Sequence, residues 1–198
     1  MPQETYSGFF LEFLKNPGTV GAVAPSSQRL AGQTVNAIDW DTVRTLVEYG
    51  PGTGSITEVI LDRKPENVNF FAIERCDRFV TILQERFPHV KVFEDSVANV
   101  KAVAESQGYS SVDAVISGLP WSSFTDEQQT EYLEAMVSVL SPRGQFATYA
   151  YLTGLPLPSA QRFRKKLHKY FDRVRCSRTI WRNVPPAFVY HCQLNRLP

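Results

Sequence analysis

Three alternating glycines, Gly50, Gly52 and Gly54, constrain the fold of this chain more than any other feature. They follow an apolar run of β-forming residues at 46–49 and precede a segment with helical character at 55–61. Glycine readily adopts positive φ and lets a ligand approach the main chain closely. The pattern therefore predicts a strand, a tight turn and a helix, with a binding site at the carboxyl end of the strand.

The spacing of the glycines narrows the class of ligand. A phosphate loop needs a lysine after its glycines, and the dinucleotide fingerprint is Gly-x-Gly-x-x-Gly, so neither fits. With Glu48 at the end of the strand the pattern is Glu-x-Gly-x-Gly-x-Gly. It resembles motif I of the class I methyltransferases that use S-adenosylmethionine (SAM). The resemblance implies that Glu48 and the glycines bind the methionine end of SAM, whose ammonium suits a carboxylate. A glycine-rich turn in another kind of α/β protein is the alternative.

Acidic residues follow the next two predicted strands. Residues 69–74 form an apolar strand ending in Glu74, about 20 residues after the last glycine, where a carboxylate can accept hydrogen bonds from a ribose diol. A helix cap or a solvated glutamate is the alternative. We include the adjacent Arg75 in the predicted cofactor site. A third strand leads into Asp95 and Ser96, which we expect near the adenine, with Asp95 accepting from its amino group.

Helical and extended segments alternate along the chain, which predicts an α/β fold with a mostly parallel sheet. Ser55 or Thr57 is expected to cap the helix after the glycines. Further strands are expected at residues 112–116 and 145–151, and extended segments at 173–181 and 187–194 should pair as an antiparallel hairpin. This is the Rossmann-like, doubly wound architecture of class I methyltransferases. Helices are expected from residue 26 or 27 to 38 and at residues 55–61, 77–86, 97–105, 126–140 and 160–170.

At 198 residues the chain has the length of one domain. We divide it into a segment, residues 1–40, that covers the site or touches a membrane, and a catalytic core, residues 41–198. Residues 7–15 form a short amphipathic helix that either packs against the body of the protein or inserts at a membrane interface. Residues 20–25 are extended and could lie over the bound cofactor.

Composition excludes several classes of protein. The net charge of +1 gives no overall field that would attract nucleic acid or a membrane, although basic residues recur from Arg162 to Arg182. That run is either a phosphate-attracting face or a solvated helix face. The three cysteines are widely spaced, which indicates neither disulfides nor zinc and favours a reducing cytoplasm. We expect no metal site, no signal peptide and no transmembrane segment.

A narrower resemblance emerges from four segments taken together. The chain resembles the bacterial phospholipid N-methyltransferases, and is similar to the ornithine-lipid N-methyltransferases and, more distantly, to the ribosomal RNA adenine dimethylases. The matching segments are Asn-Pro-x-x-Val-Gly-Ala-Val-Ala-Pro-Ser-Ser at 16–27, the glycine motif at 48–54, Ser-Gly-Leu-Pro at 117–120 and Trp-Arg-Asn-Val-Pro-Pro-Ala at 181–187.

The resemblance implies a SAM-dependent N-methyltransferase acting on the amine of a membrane lipid, phosphatidylethanolamine or an ornithine lipid. It would work in the cytoplasm, held reversibly on the anionic inner face of the membrane, and nucleic acid would be an unlikely partner. An RNA adenine methyltransferase and an enzyme for a small soluble amine are the alternatives. The catalytic residues are expected to be Ser117, Gly118, Leu119, Pro120 and Trp121.

Four further residues are expected to bind the substrate. Tyr149, Tyr151 and Trp121 could face the cationic product through cation–π contact, with core packing as the alternative for the tyrosines. Arg178 and Arg182 are candidates for the lipid phosphate, because a guanidinium matches its oxygens.

Overall fold

The structure is a computed structural model that describes residues 27–196 of the chain. Strands in this part form one sheet of seven, in the order β3-β2-β1-β4-β5-β7-β6. The strands are β1 (Thr45–Tyr49), β2 (Asn69–Glu74), β3 (Lys91–Glu94), β4 (Val112–Ser117), β5 (Leu140–Tyr151), β6 (Arg173–Cys176) and β7 (Ala187–Gln193).

The first five strands run parallel, and β7 pairs antiparallel with both β5 and β6. The predicted α/β class, with a mostly parallel sheet and an antiparallel hairpin at its carboxyl-terminal end, is thus confirmed. Tyr49 is in register with Ser117, and Tyr151 with Ala187. The carboxyl ends of the parallel strands and the start of β7 therefore meet at one edge, which we call the carboxyl edge.

Helices cover both faces of the sheet. Apolar residues of α1 and α2 pack with β1 and β4 on one face, where α3 also packs beside α2. The larger core, on the other face, takes its apolar residues from α4, α5 and α6. The helices are α1 (Gln28–Val35), α2 (Ser55–Arg63), α3 (Asp77–Arg86), α4 (Val100–Ser106), α5 (Asp126–Val139) and α6 (Pro158–Tyr170).

Local hydrogen bonding explains where the elements differ from expectation. The helix after the glycines has Gly54 as its N-cap, and no side chain caps it. The predicted cap by Ser55 or Thr57 is therefore wrong, because the Thr57 hydroxyl donates to Glu48 instead. The helix predicted at 97–105 is divided into a short 3-10 turn, Val97–Asn99, and α4.

The segments predicted at residues 7–15 and 20–25 lie outside the described residues. At the start of the described part, Ser27 caps α1 by accepting a hydrogen bond from the amide of Leu30. Ser27 is one of the two residues expected to cap this helix. Within residues 27–196, no helix is both long enough and apolar enough to cross a membrane.

Candidate active site

The glycine turn lies at the carboxyl end of β1 and needs glycine for two separate reasons. All three glycines have positive φ: 62° at Gly50, 58° at Gly52 and 87° at Gly54. A Cβ at Gly50 would come within 2.5 Å of Cδ2 of Leu119, whereas a Cβ at Gly52 would meet nothing within 4 Å. The turn is therefore closed at Gly50 against the loop that follows β4, residues 118–121, which we call the β4 loop. It is open at Gly52, where a ligand can reach the backbone.

Glu74 connects the glycine turn to the end of β2. Its Oε2 accepts from the amide of Gly52 at 3.0 Å, and its Oε1 accepts from the amides of Arg75 and Cys76 at 2.8 and 3.0 Å. The side chain is only 6% exposed. Burial raises the pKa of Glu74 above its ordinary value, although the three amide donors act in the opposite direction. The carboxylate is held beside the open position of the turn, with acceptor capacity left for a ribose diol.

Glu48 lies behind the turn, beneath the first turn of α2. The residue is fully buried, and the Thr57 hydroxyl donates to its Oε2 at 2.7 Å. Its Oε1 has no hydrogen-bond partner among the described residues. Burial raises the pKa of Glu48 to about 8, with the Thr57 hydrogen bond lowering it and the nearby Glu74 raising it further. Its contact with the methionine end of SAM stays a prediction.

Asp95 and Ser96 follow β3 at the same edge, as expected. The Oδ1 of Asp95 accepts from the amide of Ser96 and from the Asn99 side chain, both at 2.7 Å. Ser96 caps the next turn by accepting from the amide of Ala98. These bonds fix the loop in place. Arg75 is exposed to solvent beside it.

The β4 loop touches the glycine turn directly. The amide of Gly118 donates to the carbonyl of Tyr49 at 2.8 Å, and a Cβ at residue 118 would lie 2.7 Å from the carbonyl oxygen of Gly50. Leu119 is half-buried against Gly50, and Pro120 is exposed. The structure thus brings the predicted cofactor turn and the predicted catalytic loop into contact, and only glycine fits at position 118.

Ser117 and Trp121 lie deeper than expected. Ser117 is fully buried, and its Oγ accepts from the amide of Leu119 at 3.2 Å and from Nε1 of Trp121 at 3.1 Å. Trp121 is 3% exposed and stacks on Phe163, with ring centroids 4.7 Å apart. The expectation that Trp121 faces the substrate is therefore wrong: its indole belongs to the core, and its N–H positions the loop.

Gln129 is a site residue that the sequence analysis missed. It is fully buried in α5, and its Nε2 donates to the carbonyls of Trp121 at 2.8 Å and Ser159 at 3.1 Å. It thereby joins the end of the catalytic loop to the start of α6. A glutamine in an amphipathic helix gives no sequence signal of this role, because its partners are main-chain atoms distant in sequence.

Tyr149 and Tyr151 are half-buried near the end of β5. Their rings meet edge to face with centroids 5.6 Å apart, and both pack against a cluster formed by Leu30, Ala187 and Val189. Burial raises the pKa of Tyr151, and its hydrogen bond with Tyr149 acts in the same direction. Core packing, the alternative for these tyrosines, accounts for part of their surface.

Arg178 and Arg182 are exposed on the connection between β6 and β7. With Arg29 of α1 and Arg63 of α2 they line a groove of about 920 Å³. Two acidic residues, Glu58 and Asp62, also line it. Arg63 is fixed across α1 by donating to the carbonyl of Gly32 at 2.9 Å, so it forms part of the groove wall.

The residues at the carboxyl edge fit a SAM molecule. Gly52 leaves the main chain open, Glu74 offers a carboxylate beside it, and the Asp95 loop supplies polar groups at the next strand end. Open glycine backbone and acidic strand ends are what an adenosine-carrying, positively charged cofactor requires. Within residues 27–196, no group of three or more His, Cys, Asp or Glu side chains is arranged to hold a metal ion.

Comparison with known proteins identifies relatives. The sequence model of the family described as "Methyltransferase domain" matches residues 47–148. An ornithine lipid N-methyltransferase of Singulisphaera acidiphila is 36% identical over 191 residues, which cover 93% of this chain and 95% of that protein. A ribosomal RNA small subunit methyltransferase A of Halothermothrix orenii is 31% identical over 100 residues, which cover 48% of this chain and 32% of that protein.

A solved structure shares the fold. The N-methyltransferase NodS of Bradyrhizobium japonicum superposes with a TM-score of 0.67 at 12% identity, covering 87% of this chain and 98% of that one. The family match, the near full-length relative and this shared fold agree with the glycine turn and the acidic strand ends. The chain therefore belongs to the class I SAM-dependent methyltransferases, and SAM is its cofactor.

Proposed function

We propose that this enzyme methylates the amine of a membrane lipid, an ornithine lipid or phosphatidylethanolamine. The observation that carries the proposal is the extent of the match to the ornithine lipid N-methyltransferase, which spans almost the whole of both chains. The match to the ribosomal RNA enzyme covers about half of this chain and a third of that protein. The similarity to the ornithine lipid enzyme therefore extends beyond residues 47–148, which the general methyltransferase model matches.

The chemistry needs little from side chains. When bound, SAM supplies a methyl group on a sulfonium, which is already activated toward a nucleophile. The protein has to hold a neutral amine in line and exclude water. A primary alkyl amine has a pKa of roughly 10, by analogy with lysine, so a site that disfavours the ammonium raises the reactive fraction. We assign the holding of the neutral amine to the backbone of residues 118–120. Ser117 and Trp121 keep that loop in its conformation.

Tyr149 and Tyr151 are proposed to form the wall of the amine site, and Arg178 and Arg182 to bind the anionic part of the lipid. The half-buried tyrosine rings offer aromatic surface near the end of β5. The two arginines, exposed at the same edge, offer guanidinium groups that match phosphate or carboxylate oxygens. Access to a lipid amine requires contact with a bilayer, so we place the enzyme at the cytoplasmic face of the membrane as a peripheral protein.

The decisive experiment offers competing substrates under one set of conditions. Purified protein with methyl-labelled SAM is incubated separately with vesicles containing ornithine lipid, vesicles containing phosphatidylethanolamine, ribosomal RNA and small soluble amines. We expect label in a lipid fraction, and mass spectrometry then counts the methyl groups per lipid. A Glu74→Ala variant, which we expect to bind the cofactor poorly, serves as the control for label carried over without catalysis.

Label in ribosomal RNA alone would replace the lipid proposal with the adenine methyltransferase alternative. That second candidate is favoured by two ribosomal RNA small subunit methyltransferases, which match 48% and 43% of this chain. Label in soluble amines alone would show that no lipid is required.

A further inference from the structure

Within residues 27–196, the large apolar side chains left exposed all lie at the carboxyl edge. They are Leu157, Trp181 and Val184, whose exposed fractions are 48%, 71% and 77%. Leu157 immediately precedes α6 in the segment after β5, and the other two belong to the connection between β6 and β7. Single exposed apolar residues are common on protein surfaces, so these three argue for a contact surface only together with the charged groups on the same segments.

The two segments that carry these side chains are fastened to each other. The amide of Leu152 donates to the carbonyl of Pro186 at 2.9 Å, next to the register pair of Tyr151 with Ala187. A further antiparallel bridge joins Ile180 to Ala187. The exposed side chains are therefore held by a common framework at the end of β5 and the start of β7.

Asn183 determines which side chains of the connection face outward. It is only 4% exposed, its Oδ1 accepts from the Ser27 hydroxyl at 2.7 Å, and its Nδ2 donates to the carbonyl of Pro185 at 2.6 Å. With Asn183 turned inward against the start of α1, its neighbours Arg182 and Val184 are exposed. The exposure of an apolar residue here is thus built into the hydrogen bonding of the segment.

Cations accompany the apolar side chains. Arg178 and Arg182 flank Trp181 on the same connection, and Arg29 lies across the groove from them. Among the described residues, no side-chain hydrogen bond or ion pair engages these three guanidinium groups. Of the acids in the groove, Glu58 is paired with Arg86 at 3.6 Å. Within residues 27–196, these arginines thus keep their hydrogen-bonding capacity for an external anion.

We infer that Leu157, Trp181, Val184, Arg178 and Arg182 form a docking rim that contacts an anionic lipid bilayer and brings the carboxyl edge to its surface. Tryptophan is favoured at the level of lipid headgroups, and arginine pairs with lipid phosphates at the same depth. The inference rests on the proposed function, because a lipid amine must be reached from the bilayer surface. It adds the residues that make the contact.

The composition of the rim fits a bilayer better than a protein partner. A stable protein interface buries about 800 Å² on each side around a packed apolar centre. The rim instead presents apolar tips on loops, interleaved with unpaired arginines. That arrangement suits shallow insertion into an interface where apolar and anionic groups lie close together.

Tryptophan fluorescence tests the contact directly on the full chain. Trp181 is 71% exposed, whereas Trp121 is buried and Trp40 is half-buried, so a change in polarity at the rim is reported mainly by Trp181. We expect a blue shift on adding vesicles of phosphatidylcholine with phosphatidylglycerol, a smaller shift with phosphatidylcholine alone, and no shift in Trp181→Phe. Absence of any shift with anionic vesicles would overturn the inference.

Flotation with the same vesicles tests the charges, with a matched control. The pair Arg178→Gln and Arg182→Gln should lower binding at low salt at least tenfold, because one cation near an anionic surface contributes about a fivefold change. The control pair, Arg143→Gln and Arg173→Gln, removes the same charge at the opposite edge, where β6 starts and β5 begins. If both double variants lost vesicle binding equally, the effect would come from net charge alone, and the docking rim would be contradicted.

A third measurement separates failure of the rim from failure of the proposed function. The double variant Leu157→Ser and Val184→Ser should lose vesicle binding but keep turnover on a short-chain amino lipid dispersed below its critical micelle concentration. Lipid methylation together with unchanged vesicle binding in the rim variants would overturn the rim and leave the function standing. If vesicle binding depended on the rim residues but no lipid were methylated, the proposed function would be overturned and the docking rim would stand.

Discussion

Replacing Glu48 by glutamine is expected to remove a pH dependence of stability that is built into motif I. The carboxyl is fully buried, receives one hydrogen bond from Thr57 and leaves Oε1 without a partner among the described residues. Burial raises its pKa from an ordinary 4.5 to about 8. Glutamine has the same shape and cannot ionise, so it keeps the packing and removes the titration.

The sign follows from which state binds the proton more tightly. Since the folded pKa of Glu48 lies above the unfolded value, its contribution to the free energy of unfolding is fully present below pH 4.5 and is lost as pH rises toward 8. The loss is about 1.4 kcal/mol per pH unit, so about 5 kcal/mol is the upper limit over the whole interval. Between pH 5.5 and 8 we expect the variant to gain at least about 2 kcal/mol relative to the wild type.

The assay is urea denaturation of both proteins without SAM, at several pH values between 5.5 and 8.5. Every other titrating group is present in both proteins, so the difference between their free energies of unfolding isolates Glu48. A Thr57→Val variant is the control, because it removes the hydrogen bond and leaves the buried carboxyl to titrate. Wild type and Glu48→Gln curves that run parallel across this range would refute the assignment of a buried, proton-binding Glu48.

Three further predictions concern the cofactor turn and the catalytic loop. Gly52→Ala and Gly108→Ala both place a side chain at positive φ in open space, so each should cost about 1 kcal/mol of stability. Only Gly52→Ala should also weaken S-adenosylhomocysteine binding, by at least about tenfold in calorimetry. Equal affinities of the two variants would contradict an open cofactor turn. Glu74→Gln should weaken S-adenosylhomocysteine binding at least about tenfold. In the wild type, affinity should rise with pH, because burial raises the pKa of Glu74 and its ionised form accepts hydrogen bonds best; the variant should lack this rise. A rise that persists in the variant would exclude Glu74 from the cofactor site. Trp121→Phe keeps one six-membered aromatic ring but removes the pyrrole ring with the N–H that reaches Ser117, so kcat should fall while S-adenosylhomocysteine affinity is kept. Loss of affinity alone would assign Trp121 to the cofactor site.

The architecture could be predicted from sequence because its signals are local. Alternating glycines permit positive φ in a tight turn, apolar runs that end in acids indicate strand ends, and the hairpin follows from two extended segments with no helix between them. Parallel strands necessarily bring their carboxyl ends to one edge. Glu74, Asp95 and the β4 loop could therefore be assigned to that edge from the sequence alone.

What the tertiary structure decided is the direction and depth of each side chain. Trp121 follows a predicted catalytic motif, yet it packs into the core, because Phe124, Phe146 of β5 and Phe163 of α6 surround it with an aromatic cluster that no local pattern shows. Thr57 looked like a helix cap and became the donor to Glu48, since the strand and the helix after the turn converge there. Burial and long-range hydrogen bonds depend on segments distant in sequence. The sequence by itself thus determined that the site lies at the carboxyl ends of the strands, and packing decided which side chains reach it.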